Sequence, residues 1–275
     1  MYKRVLLALD LEGVNNVVGE AYMGLERGTE QWKVAKDQAV LEINAAAEAL
    51  FDAGAVKVGL WDNHAGGNNV DIEKLDHRII WVANDHTLPR MSFIDGEYDC
   101  ICYFGYHAME GTLSGVLAHT MSSKHVQYYK LNGKYIGEID MDAYIAASHG
   151  VPSRLFVGGN IACAQAAKSV GNIVTVITKQ ELGRNRAAFR DNEELLLEIK
   201  VKIVEAVMTE VTPRKLQFPA KMEKSFKRIE DAEKHLEHLK KCGIDAEFLR
   251  DDILGWDAHA VVSNVNDIVE FITCI

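Results

Sequence analysis

The stretch Val5-Leu6-Leu7-Ala8-Leu9-Asp10-Leu11-Glu12-Gly13 reads as a buried strand that ends on a pair of carboxylates. A short continuous apolar run of this kind fits a strand covered on both faces. Side chains alternate faces along a strand, so Asp10 and Glu12 point the same way if the extended geometry continues through them. Two like charges in one small volume raise each other's pKa or take a counter-charge, and a bound cation supplies one. Gly13 lets the backbone turn directly after the pair. Alone, Asp-x-Glu-Gly also serves as a helix cap or turn, so the donors at later strand ends decide between these roles.

Downstream, Trp32, Ala35, Ala39, Ile43, Ala46 and Leu50 recur at helical spacing over Gln31–Ala53, and Gly54 stands where a left-handed cap falls. Val56–Trp61 comes next as a second strand, which makes a βαβ unit with parallel strands. The second strand ends in Asp62-Asn63-His64, Ile79–Val82 is a further short strand, and Tyr98–Phe104 is another that ends in Gly105-Tyr106-His107. In open parallel sheets ligands bind outside the carboxyl ends of the strands, so Asp10, His64 and His107 are expected neighbours.

Asn132-Gly133 between Gln127–Leu131 and Lys134–Ile136 predicts a β-hairpin. Glu138 then opens a helix through Met141, Tyr144 and Ile145. Strands over Leu155–Val157 and Ile173–Thr178 alternate with helices over Asn160–Val170 and Asp191–Met208. Beyond Pro213, strands are expected at Leu216–Phe218, Ala246–Leu249 and Ala258–Ser263, with helices at Ile229–Cys242 and Asn266–Ile272. The expected fold is α/β, a mostly parallel doubly wound sheet with a β-hairpin insertion and a small C-terminal α/β appendage. Residues 1–212 would form a metal-binding catalytic domain and 213–275 the appendage or a sheet extension.

The chain has 275 residues, 48% apolar and 25% charged, which is ordinary for a globular protein. A formal net charge of -10 without a basic cluster argues against nucleic acid as a partner. The five cysteines show neither zinc-finger nor redox spacing and suit a reducing compartment. No apolar stretch of ~18 residues is present to span a bilayer and the amino terminus lacks a signal-like core, so a cytoplasmic protein without membrane association is expected.

Asp10, Glu12, His64, His107 and Glu138 together offer three carboxylates and two imidazoles, a donor set suited to zinc, manganese or cobalt. Charge balance favours two divalent ions. Five protein ligands for two metals leave positions open, as catalytic sites do. Ions ~3.5 to 4 Å apart lower the pKa of a bridging water, polarise a carbonyl and hold both reactants, which suits attack of metal-bound hydroxide on a peptide bond. Asp10 is the expected bridging carboxylate. His119, on a loop over the site, is left for proton transfer or oxyanion stabilisation. Asp62 could orient a ligand histidine or cap a turn, Gly158-Gly159-Asn160 could present N–H groups to an anion, and His235 and His238 read as a solvated helix face.

Asp10-x-Glu12-Gly13, Asp62-x-His64 with Asn68-Asn69, Gly105-Tyr106-His107-Ala108, Gly115-Val116 with His119, and Gly137-Glu138 with Ala143-Tyr144 together resemble the zinc-dependent D-aminopeptidases of the bacterial dipeptide-transport operon. The resemblance runs in order through most of the first 210 residues. It implies two Zn²⁺ per subunit, with Mn²⁺ or Co²⁺ as alternatives, and an exopeptidase that removes an N-terminal D-residue such as D-alanine from short peptides. It also implies a ring-like homo-oligomer, a decamer, with sites facing an internal channel. By matching motif Asp10 bridges the ions, Glu12, His64, His107 and Glu138 complete the set, and His119 is the catalytic histidine. The chain departs from the pattern at Ser114, where proline is common, and at Gly159-Asn160, where an acidic residue is usual. The competing readings are a metal-dependent amidase or esterase on another small substrate, and a non-catalytic metal-containing ligand-binding assembly.

Overall fold

The structure, a computed structural model, describes residues 1–20, 23–85, 87–250 and 257–275. In chain order the elements are β1 (Arg4–Leu9), α1 (Glu30–Asp52), β2 (Lys57–Asp62), β3 (Ile80–Val82), β4 (Cys100–Tyr106), β5 (Val126–Leu131), β6 (Lys134–Ile136) and α2 (Glu138–Ser148). Next come β7 (Ser153–Gly158), α3 (Asn160–Ser169), β8 (Val174–Ile177), β9 (Lys179–Gly183), β10 (Arg186–Phe189) and α4 (Asn192–Met208). The carboxyl-terminal part holds β11 (Ala220–Phe226), α5 (Ile229–Lys241), β12 (Ala246–Arg250), β13 (Asp257–Val265) and α6 (Ile268–Cys274).

The main sheet has six strands in the order β3-β2-β1-β4-β7-β8, and every neighbouring pair is parallel. Successive residues of β1 face opposite cores: Val5, Leu7 and Leu9 pack with α1 and α4, whereas Leu6 and Ala8 pack with α2, α3 and the second sheet. Burial on both faces explains why the strand is an uninterrupted apolar run. Helix α1 starts where the Thr29 side chain accepts from Trp32 N, and its Ala35, Ala39, Ile43 and Leu50 face inward. Helix α4 answers with Leu195, Ile199, Ile203 and Val207.

Strand order reverses between β1 and β4, and in sheets of this order the crevice at the reversal receives ligands. There the two strand ends are locked together. Asp10 N donates to Phe104 O (2.8 Å) and Gly13 N to Gly105 O (2.6 Å). Gly105 has φ +68°, and a Cβ on it would lie 1.9 Å from Asp10 O.

A second, antiparallel sheet runs β12-β13-β11-β5-β6. Its hairpin β5–β6 turns on Asn132 (φ 49°) and Gly133 (φ 77°), both left-handed as a two-residue turn of this kind requires. The carboxyl-terminal strands join that hairpin through β11, whose partner is β5.

Two strand expectations need correction. Leu216–Phe218 is not a strand, and the ladder begins after Pro219 with Ala220–Phe226, whose alternating Lys and Glu hide its inward Ala220 and Met222 from an apolar scan. The antiparallel pair β9–β10 was not anticipated, because its buried positions Lys179 and Glu181 are charged. Among the described residues no helix is long and apolar enough to cross a membrane.

Candidate metal centre

Asp10 follows β1 and Glu12 lies in the turn beyond it, His64 follows β2, His107 follows β4, and Glu138 opens α2. Their side chains converge at the sheet reversal, each at most 9% exposed. His64 Nδ1 lies 2.9 Å from Asp10 Oδ1 and 3.1 Å from Glu12 Oε2. His107 Nε2 lies 3.4 Å from both Asp10 Oδ2 and Glu138 Oε1. His119 comes in from the loop between β4 and β5, with Nε2 3.9 Å from Glu138 Oε1. All six residues singled out from the sequence thus meet in one place. Two groups of donors close enough to share an ion are Asp10, Glu12 and His107, and His107, His119 and Glu138.

Backbone carbonyls, which only accept, fix the imidazole orientations. His107 Nδ1 donates to Ala108 O (3.0 Å) and His119 Nδ1 to Leu117 O (2.8 Å), which leaves each Nε2 facing the cluster. On His64 it is Nε2 that faces Leu25 O (3.4 Å), so Nδ1 is the inward atom. Glu138 Oε1 accepts from Met121 N (2.6 Å) and Asp10 Oδ1 from Leu11 N (2.9 Å).

The electrostatics call for cations. Burial and then the Glu12 charge push the Asp10 carboxyl up to about 7. Burial opposes the Glu12 and Glu138 charges too, yet His64 holds Glu12 well below the carboxylate range and His107 brings Glu138 to about 2. Burial alone would lower both histidines; Glu12 and Asp10 instead raise His64 to about 11, and Glu138 with Asp10 and Glu12 raises His107 to about 10. The acidic residues outweigh desolvation and retain protons on the imidazoles.

These residues fit a divalent metal. His107 Nε2 is buried and makes no hydrogen bond, although two carboxylate oxygens stand 3.4 Å away. Lone pairs of nitrogen and oxygen aimed at one another repel unless a proton or a metal lies among them, and the second choice satisfies every donor at once. Among the described residues the direct ion-pair partners of Asp10, Glu12 and Glu138 are histidines, and Arg90 and Lys179 act on Glu138 and Glu12 only through their charge.

Neighbouring residues take roles that the sequence left open. Asp62 caps a turn: its oxygens accept from Asn69 N (2.6 Å) and Asn69 Nδ2 (3.0 Å), and Asn69 in turn holds His64 O (2.6 Å). The N–H groups after Gly159 do meet an anion, the chain's own Glu181, whose Oε2 accepts from Ile161 N (2.8 Å). Tyr106 OH donates to Asp142, which also pairs with Arg90. His235 is not on a solvated face: it packs on Phe226 with ring centroids 5.3 Å apart. His125 pairs with Asp231, and His86 lies outside the described residues. Lys179 and Glu181 were missed, and their signal was a pair of charged residues at alternate positions of a short strand.

The fold is a doubly wound α/β sheet whose reversal gathers carboxylates and imidazoles, a candidate metal centre at strand ends. Residues 3–241 match the Peptidase_M55 family, described as D-aminopeptidase, and the chain belongs to that family. It is 25% identical over 183 residues to a D-aminopeptidase of Bacillus subtilis (strain 168), a match that covers 66% of this chain and 65% of the relative, just under two thirds of its length. The chain is also similar to a solved structure, the Zn-dependent D-aminopeptidase DppA from Bacillus subtilis, a self-compartmentalizing protease. The TM-score is 0.84 at 20% identity, covering 98% of this chain and 94% of that one, which shows a shared fold.

Proposed function

We propose that the protein is a metal-dependent exopeptidase that releases the N-terminal residue, a D-amino acid such as D-alanine, from short peptides. The observation that carries this reading is the unpartnered His107 Nε2, buried with Asp10, Glu12 and Glu138 close enough to share ions with it. Asp10, Glu12, His64, His107 and Glu138 would hold two Zn²⁺, or Mn²⁺ or Co²⁺ in their place. Bound there, the ions would supply Lewis acidity toward a peptide carbonyl and lower the pKa of water.

The chain's own residues do the rest. His119 Nε2 faces the cluster while Nδ1 is tied to Leu117 O, so one ring nitrogen is free to accept a proton and pass it to the leaving amide nitrogen. A cavity of about 430 Å³ adjoins the cluster and is lined by Asp10, Glu12, His64, His119 and Glu138 together with charged residues of both signs, among them Glu26, Arg27 and Lys124, which gives a short peptide room beside the donors. In this reading residues 1–212 carry the chemistry and 213–275 extend the second sheet. In the same reading the chain works as a cytoplasmic homo-oligomer, a decamer, with sites on an internal channel; the solved relative's description as self-compartmentalizing supports the oligomer alone.

Turnover of D-alanyl and L-alanyl chromogenic amides before and after chelation tests the reading. D-selective turnover that vanishes with the metal and returns with zinc is expected. Metal-loaded protein that leaves both substrates and short D-peptides intact would favour the ligand-binding assembly instead.

A further inference from the structure

Strand β9 reaches both halves of the site. Lys179, fully buried, donates from Nζ to the carbonyls of Glu12 (2.6 Å), Val14 (2.8 Å) and Val17 (2.6 Å). An ammonium has three protons, and all three are used on the turn that carries the paired carboxylates. Thr178 Oγ1, the residue before, donates to Gly13 O (2.6 Å).

Two residues on, and on the same inward face, Glu181 Oε1 accepts from Val116 N (2.7 Å), while its Oε2 is anchored on the first turn of α3. Gly159 leaves room for it, since a Cβ there would lie 2.4 Å from the Glu181 carboxyl. Past the end of the strand, Arg184 O accepts from Leu117 N (2.9 Å) and Arg184 Nη1 donates to Ala118 O (2.8 Å). His119 is the next residue, and its own Nδ1 rests on Leu117 O.

We infer that this strand positions the two parts of the site relative to each other: Lys179 is a positioning residue for the turn that carries Asp10 and Glu12, and Glu181 and Arg184 are positioning residues for His119. None of the three touches the cluster with its own side chain. Replacing Lys179 by an apolar residue strands three buried carbonyls and frees the turn to relax, so donor geometry degrades. Loss of the Arg184 anchor leaves the turn in place and loosens only the loop behind His119. The inference rests on the metallopeptidase reading, but its first arm needs no substrate.

The test measures zinc affinity of the full chain by competition with a chromophoric chelator. Lys179→Met is expected to bind zinc ~10- to 100-fold more weakly, the usual cost of removing a residue that orients a ligand, and Thr178→Val to move the same way by less. Arg184→Met is expected to keep the wild-type zinc affinity and, in its crystal structure, to show the His119 ring displaced from its stack on His107; with a substrate in hand, kcat falls. A folded Lys179→Met protein with wild-type affinity overturns the first assignment. If that variant does not fold, unchanged affinity in Thr178→Val does so. Zinc loss in Arg184→Met equal to that in Lys179→Met, or an undisturbed His119, overturns the second. A wild-type protein that binds zinc and cleaves no peptide removes the peptidase reading while the affinity and crystallographic arms still stand.

Discussion

The imidazoles of His107 and His119 lie stacked, with ring centroids 3.9 Å apart and planes 12° from parallel. Burial and then the neighbouring His107 push His119 down from the ordinary imidazole value, the reverse of what the carboxylates do to His107 itself. In the proposed mechanism the two stacked rings divide the work, one held among the carboxylates and the other, with its lowered pKa, taking a proton. His119→Ala is expected to retain its metal and lose kcat by ~10²-fold or more, the range for removal of a proton-transfer group. Metal analysis alongside steady-state kinetics checks both halves; an unchanged kcat removes His119 from the mechanism.

Gly105→Ala is expected to damage fold and site together. Its φ of +68° disfavours any side chain, and the added carbon would overlap Asp10 O, at the backbone of a carboxylate the site depends on. A destabilisation of ~2 kcal/mol or more by urea unfolding is expected, as for other strained close approaches, with weakened zinc binding in the folded fraction. Wild-type stability and affinity would show that the two strand ends can separate without consequence.

The legible part of the chain is the part where burial and polarity agree. β1, α1 and β4 announce themselves because their inward positions are mostly apolar, with Gln38 and Glu42 of α1 as exceptions, and a donor follows each of the two strands, so the fold class and the candidate residues at the strand ends were legible. β9 was invisible for the opposite reason. Its inward residues Lys179 and Glu181 are charged, and they are buried only because backbone carbonyls and N–H groups far away in the chain receive them. No local pattern encodes such partners. His235 misled in the same way, since nothing in α5 alone shows that Phe226 lies beneath it.

Metal binding should compete with protons. Without metal, His64 and His107 stay protonated up to about 11 and about 10. Both values are raised above the unfolded reference near 6.5, so their contribution to the stability of metal-free protein is full below that pH and is lost as pH rises toward 10. Bound metal replaces those protons. The gap in melting temperature between zinc-loaded and chelated protein is therefore expected to widen between pH 6.5 and 9, with protons released on zinc binding. Calorimetry in buffers of different ionisation enthalpy reads that release; zinc uptake without it would contradict the charge assignment.

Acid stability offers an independent check in the second sheet. Burial and then Lys224 push His235 down to about 3, so this group favours the fold fully above its unfolded value and the benefit is lost as pH falls from about 6.5 toward 3. His235→Phe should flatten that part of the unfolding profile. An identical acid profile would show that His235 accepts a proton without penalty.

The most direct measurement is the metal content of the purified chain, loaded with excess zinc and freed of loosely held ions. Close to two ions per chain is expected, falling in His64→Ala and Glu138→Ala, because both side chains stand among the buried donors gathered at the sheet reversal. Fewer than one ion per chain, or full occupancy in both variants, would contradict the metal centre itself.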